Sequence, residues 1–109
     1  MRTRQDKLQG TLDLLVLRTL ADGAMHGTSI ADRIAQASAD VLLVEEGSLY
    51  PALHRMEEAG WVKSQWKASE NNRRARYYQI TASGRRRLEQ VERRWTAHVN
   101  AVLRVLKPA

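Results

Sequence analysis

The sequence predicts a mainly α domain of the α+β class, in which three short helices are followed by a two-stranded β-hairpin and one long C-terminal helix. Three observations carry this. Apolar residues recur at steps of three and four through the first sixty positions, two stretches rich in Trp, Val and Tyr flank a polar turn, and an amphipathic run extends from Ala82 to Leu106. With 109 residues, 43% of them apolar, the chain has material for one hydrophobic core, so a single compact unit is expected.

From Leu8 to Leu20, residues Leu8, Leu12, Leu15 and Val16 share one helical face while Leu14 and Leu17 point elsewhere, so this helix must be covered on more than one side. Asp22-Gly23 ends it. After His26-Gly27 a second helix is expected over about residues 28–37, with Ile30, Ala31, Ile34 and Ala35 as its buried stripe. A third is expected over about residues 47–59, with Pro51 in or just after its first turn and Gly60 in the left-handed capping position. Residues 61–67 and 75–80 read as the hairpin strands, and Thr81 as the N-cap of the last helix, which at 25 residues is about 37 Å long.

The formal charge is +6 and the isoelectric point about 10.3, a balance that suits a polyanionic partner or merely a solvated basic face. The absence of cysteine excludes disulfides, thiolate metal sites and cysteine nucleophiles. The N-terminus lacks the apolar stretch of a secretion signal, and no segment reaches the ~18 consecutive apolar residues of a membrane span, so a cytoplasmic location is expected. Catalysis is not expected. His26, His54 and His98 are scattered, Glu45-Glu46 reads as a solvated pair, and no nucleophile motif, phosphate loop, metal spacing or cofactor fingerprint is present.

On the third helix Leu49, Ala52, Leu53 and Met56 fall on one face, leaving Ser48, Pro51, His54, Arg55 and Glu58 on the other with Tyr50 at the flank. Polar and planar side chains near a helix N-terminus suit entry into a DNA major groove: His54 and Arg55 as guanine donors, Ser48 for a base or phosphate, Tyr50 for a phosphate or a thymine methyl. An ordinary solvated face has the same composition. The hairpin weighs toward DNA, because Lys67, Arg73, Arg74 and Arg76 concentrate charge where a wing meets the phosphate backbone or minor groove. The competing reading is a winged-helix protein–protein interaction module without specific DNA binding. RNA is disfavoured by the lack of aromatic stacking platforms.

On the last helix Leu88, Val91, Trp95, His98, Val102 and Val105 form a heptad-like seam, widened by Val99, Leu103 and Leu106. Its length exceeds what a small three-helix core can cover, so pairing with a second chain is expected, with Leu88, Val91, Trp95, Val102 and Leu106 at the interface. A twofold dimer requires a near-palindromic operator.

Several runs resemble the PadR family of bacterial repressors: Leu8-Gln9-Gly10-Thr11-Leu12-Asp13, His26-Gly27, Glu46-Gly47-Ser48-Leu49-Tyr50-Pro51-Ala52-Leu53-His54-Arg55-Met56-Glu57, Gly60-Trp61, Arg73-Arg74-Ala75-Arg76-Tyr77-Tyr78 and Thr81-Ala82-Ser83-Gly84-Arg85. The resemblance implies a winged helix-turn-helix DNA-binding domain over residues 1–81, a dimerisation helix over 82–109, as in the family's smaller subgroup, and repression relieved by a signal. Where many relatives carry an aromatic residue after His-Gly this chain has Thr28, whose hydroxyl suits a phosphate. Some relatives with a Trp on the last helix bind flat aromatic compounds between subunits. Trp95 is therefore a candidate effector contact, or else a plain interface anchor.

Overall fold

Val16, Leu17 and Leu20 are all closed off from solvent, as a helix apolar nearly all round requires. The computed structural model describes residues 4–68 and 71–107, with side chains from Gly10, and arranges the remaining elements about this helix. In chain order these are α1 (Arg4–Leu20), β1 (Met25–His26), α2 (Gly27–Ala37), α3 (Glu46–Glu58), β2 (Val62–Ala68), β3 (Arg74–Ile80) and α4 (Ala82–Leu106). Helix α1 touches α2, α3, α4 and β3. The core joins its three residues to Ile30 and Ile34 of α2, Leu49, Ala52, Leu53 and Met56 of α3, and Val62, Tyr78 and Ile80 of the sheet. Each large apolar side chain so buried contributes roughly 2 kcal/mol relative to exposure, so losing one contact face of α1 outweighs any surface adjustment.

The expected order of three helices, hairpin and long helix is present, with α1 beginning nearer the N-terminus than the apolar pattern indicated. One element is additional. Met25 and His26 pair antiparallel with Tyr78 and Tyr77, making a three-stranded sheet in the order β1-β3-β2. Two residues are too few to display alternation, which is why this strand is invisible to periodicity. The hairpin runs in register from Val62↔Ile80 to Ala68↔Arg74, and Asn72 takes a left-handed conformation (φ 59°) in its turn. Ser69 and Glu70 of the expected turn lie outside the described residues, as do the Leu8 and Gln9 side chains.

The junctions are built by local chemistry. Gly60 (φ 83°) closes α3 as anticipated, with Trp61 N–H donating to the Met56 carbonyl and Gly60 N–H to that of Glu57, both at 3.0 Å. The Thr81 hydroxyl accepts from Gly84 N–H (3.0 Å) and donates to the Gly60 carbonyl (2.6 Å), so one side chain caps α4 and ties it to the end of α3. Pro51 stands in the second turn of α3, just after the first, where its missing N–H deprives the Gly47 carbonyl of the usual donor.

Helix α4 is divided in its duties. Leu88 packs against the core and Val91 is buried within the single chain, because α4 lies along α1 over this stretch. Of the residues expected in the pairing seam, Val91 is thus buried within its own chain and Leu88 is partly covered by it. Beyond them α4 leaves the core, giving a molecule 57 Å long but only 29 by 24 Å across. There Trp95, Val102, Leu103, Val105 and Leu106 stand exposed, Val105 at 78%.

Gly84 marks the tightest approach in the fold: a Cβ there would collide with the Trp61 carbonyl oxygen and press on Ile80 Cγ1. Since the obstacle is backbone, Gly84→Ala should destabilise the chain by about 2–3 kcal/mol, read as a lowered urea midpoint.

Candidate nucleic-acid interface

Burial of Leu49, Ala52, Leu53 and Met56 fixes which side of α3 is left outside. Ser48, Tyr50, Pro51 and His54 are exposed on it, and Thr28 is exposed in the first turn of α2. The His54 imidazole lies 2.8 Å from Glu58, a pair in which both side chains remain largely in solvent and which is therefore worth little to stability. His26 is the N-cap of α2, its ring nitrogen accepting from Ser29 N–H at 3.3 Å while the ring meets Tyr77 edge-on at 5.5 Å. Gly27 lies under Tyr50: a Cβ at position 27 would sit 2.7 Å from the phenol Cε1 and oxygen, so the ring in its present place rests on a bare backbone. The His-Gly pair thus caps one helix and seats an aromatic residue of the next.

Arg55 departs from expectation. Its Nη1 and Nη2 donate to Asp13 Oδ2 and Oδ1 at 2.9 and 2.7 Å, a bidentate pair that joins α3 to α1. Asp13 is 6% exposed and Arg55 39%. Hydrogen bonding to Asp13 raises the guanidinium pKa, desolvation opposes this, and the carboxylate charge adds to the rise. An acid placed within an apolar helix demands such a partner, so Arg55 is turned toward α1.

A second arginine differs in the same way. Arg76 Nε donates to Ser64 Oγ (2.8 Å) and its Nη2 to Glu57 Oε1 (2.9 Å), while Ser64 Oγ donates to Glu57 Oε2 (2.6 Å). This triad fastens the root of the hairpin to the last turn of α3, so Arg76 holds the wing rather than extending from it. Nearby, burial lifts the Tyr78 phenol pKa above its usual value against the lowering influence of Arg76. Toward the tip the cations are directed outward. Arg73 is exposed, Arg74 lies over the Trp66 ring at 5.6 Å, and the Lys67 ammonium lies 5.4 Å from the Tyr77 ring centroid.

The charge is unevenly spread. Residues 82–109 carry seven basic against two acidic residues, whereas residues 1–81 carry eleven against ten. The overall +6 is therefore mainly a property of α4. Within residues 1–81 the hairpin is the exception, with five basic residues and one acidic between positions 62 and 80. Among the described residues no group of three or more His, Asp or Glu is placed to hold a metal ion. No helix there is long and apolar enough to cross a membrane.

Removing Arg55 takes its charged partner from a buried carboxylate. Arg55→Ala should cost about 2–4 kcal/mol in urea unfolding, and the Asp13→Ala/Arg55→Ala double variant clearly less than the sum of the single variants. Strict additivity would show that the pair is uncoupled.

The geometry agrees with known proteins. The model of the PadR-like transcriptional regulator family matches residues 16–90, from α1 into α4. A transcriptional regulator from Clostridium thermocellum is 27% identical with a TM-score of 0.83, over 94% of this chain and 99% of that one. A PadR-like transcriptional regulator from Bacillus cereus is 26% identical with a TM-score of 0.79, over 95% and 99% respectively. A PadR family transcriptional regulator from Eggerthella lenta is 29% identical with a TM-score of 0.77, over 94% and 88%. An uncharacterized protein of Lysinibacillus sphaericus is 24% identical over 92 residues, 84% of each chain. With its four helices, three-stranded sheet and basic wing, and with a family match over most of its length, the chain belongs to the PadR-like family, whose members are transcriptional regulators and not enzymes.

Proposed function

We propose that this protein is a sequence-specific regulator of transcription that binds duplex DNA as a homodimer in the cytoplasm and represses the gene whose near-palindromic operator it occupies. The observation that carries this reading is the pairing of an exposed, polar N-terminal half of α3 with a basic hairpin fastened beside it. In this arrangement Ser48, Tyr50, Pro51 and His54 meet base edges and phosphates in the major groove. Thr28 meets a phosphate, and Lys67, Arg73 and Arg74 engage the flanking backbone or minor groove. Arg55 and Arg76 act behind them by holding α3 and the wing in place.

Pairing is supported by the apolar side chains that α4 leaves in solvent, which run from Trp95 through Val102 to Leu106. A stripe of that kind on a projecting helix is costly in water and is relieved by a second copy of the same helix. Trp95, tilted against His98 at 5.9 Å, serves as the anchor. Residues 1–81 then read DNA while 82–109 set the spacing of two recognition helices, about one duplex turn apart. Repression follows the resemblance of the recognition-helix and wing motifs to the family's repressors.

The test is an anisotropy titration of the full chain against the duplex upstream of its own gene, with random duplex as competitor and salt varied. Preferential operator binding supports the reading, whereas a folded dimer with no preference points to a protein-interaction module. Arg74→Ala should weaken binding to every duplex and lower the slope of log affinity against log salt by about one. Val102→Asp should shift the chain to monomer in sedimentation velocity and abolish tight operator binding while the melting transition of the winged domain persists.

A further inference from the structure

The hairpin carries one large side chain that neither the core nor the charge pattern uses. Alternate residues of β2 face the same way. Val62 is buried in the core, Ser64 is bonded to Glu57 of α3, and Trp66 comes two residues further toward the tip, about 6.6 Å beyond Ser64. The indole therefore stands on the side of the wing that looks toward α3, past the point where the core ends. It is 56% exposed. Its cross-strand partner is Arg76, which the Ser64–Glu57 triad holds in place, so the base on which Trp66 stands is fixed. Arg74 lies over its ring.

We infer that Trp66 is a DNA-contacting residue whose indole lies against the sugar–phosphate backbone beside the groove that α3 enters, holding Arg74 toward an adjacent phosphate. This deepens the DNA-binding reading and rests on it. The chemistry selects the partner. The indole N–H only donates, so it is suited to a phosphate oxygen. Its flat face packs on a deoxyribose, and Arg74 over its ring, with Arg73 exposed at the turn, suits an anionic polymer. A contact of this kind carries no base information. It fixes how closely the wing approaches the duplex and thereby the register of α3 in the groove. Were Trp66 only a hairpin-packing residue, removing it would alter folding stability and leave DNA affinity unchanged.

The experiment compares the wild-type chain with Trp66→Phe and Trp66→Ala by fluorescence and anisotropy titration with operator and with random duplex. The chain has three tryptophans, Trp61, Trp66 and Trp95, so the signal of one is recovered by difference. DNA should change the wild-type emission, and most of that change should vanish in Trp66→Phe, which keeps an aromatic ring in the hairpin. Trp66→Ala should lower affinity about tenfold on both duplexes, with a fall in the salt slope no larger than that of Arg74→Ala. An emission change that persists in Trp66→Phe, or affinities unchanged in Trp66→Ala, overturns the inference while leaving DNA binding intact. Failure of the wild-type chain to bind any duplex instead overturns the reading beneath it. Should Trp66→Ala not fold, the Trp66→Phe emission decides.

Discussion

A carboxylate withdrawn from water on α1 fixes how α3 sits against the rest of the fold. Asp13 is buried and is neutralised by a bidentate arginine from α3. In energetic terms a leucine–leucine contact would serve as well or better, because desolvating two charges consumes most of their attraction. What the ion pair adds is direction: the planar fork meets both carboxylate oxygens in only one orientation, which fixes the rotation of α3 about its axis. The Glu57–Ser64–Arg76 triad does the same for the hairpin. Helix α3 is thus held on one side to the central helix and on the other to the wing, through arginine–carboxylate contacts at both.

What the sequence makes legible is what short-range chemistry determines. The Gly60 cap, the Thr81 cap and the buried face of α3 all depend on neighbours within a few residues, and all can be read from the chain. The misplaced residues are those whose partners are distant. Arg55 meets an acid 42 positions away and Arg76 one 19 positions away, so in sequence both resemble the outward-facing Arg73 and Arg74. One signal was available for Arg55, since Asp13 sits inside a helix apolar nearly all round and must be matched by a cation from elsewhere. For Leu88 and Val91 periodicity correctly indicates an apolar seam but cannot say whether the surface covering it belongs to the same chain.

The charge balance gives a related lesson. A net charge of +6 suggests a polyanion partner, yet the winged part of the chain is nearly neutral and the excess lies on the helix that projects away from its core. Net charge describes the long-range field of the whole molecule, which governs solubility and encounter rate. The local concentration on the hairpin is the informative quantity, and it is diluted by the exposed acids Glu45, Glu46 and Glu58 on and beside α3.

The arginines that hold α3 and the hairpin in place are distinct from the polar side chains left exposed on α2 and α3. Thr28, Ser48 and His54 lie outside the core cluster and contribute no large apolar side chain to it, so exchanging them leaves packing intact. Over evolutionary time such a scaffold can drift to a new target sequence by point substitution without passing through unfolded intermediates. Duplicated copies can then diverge in the genes they govern while sharing one framework.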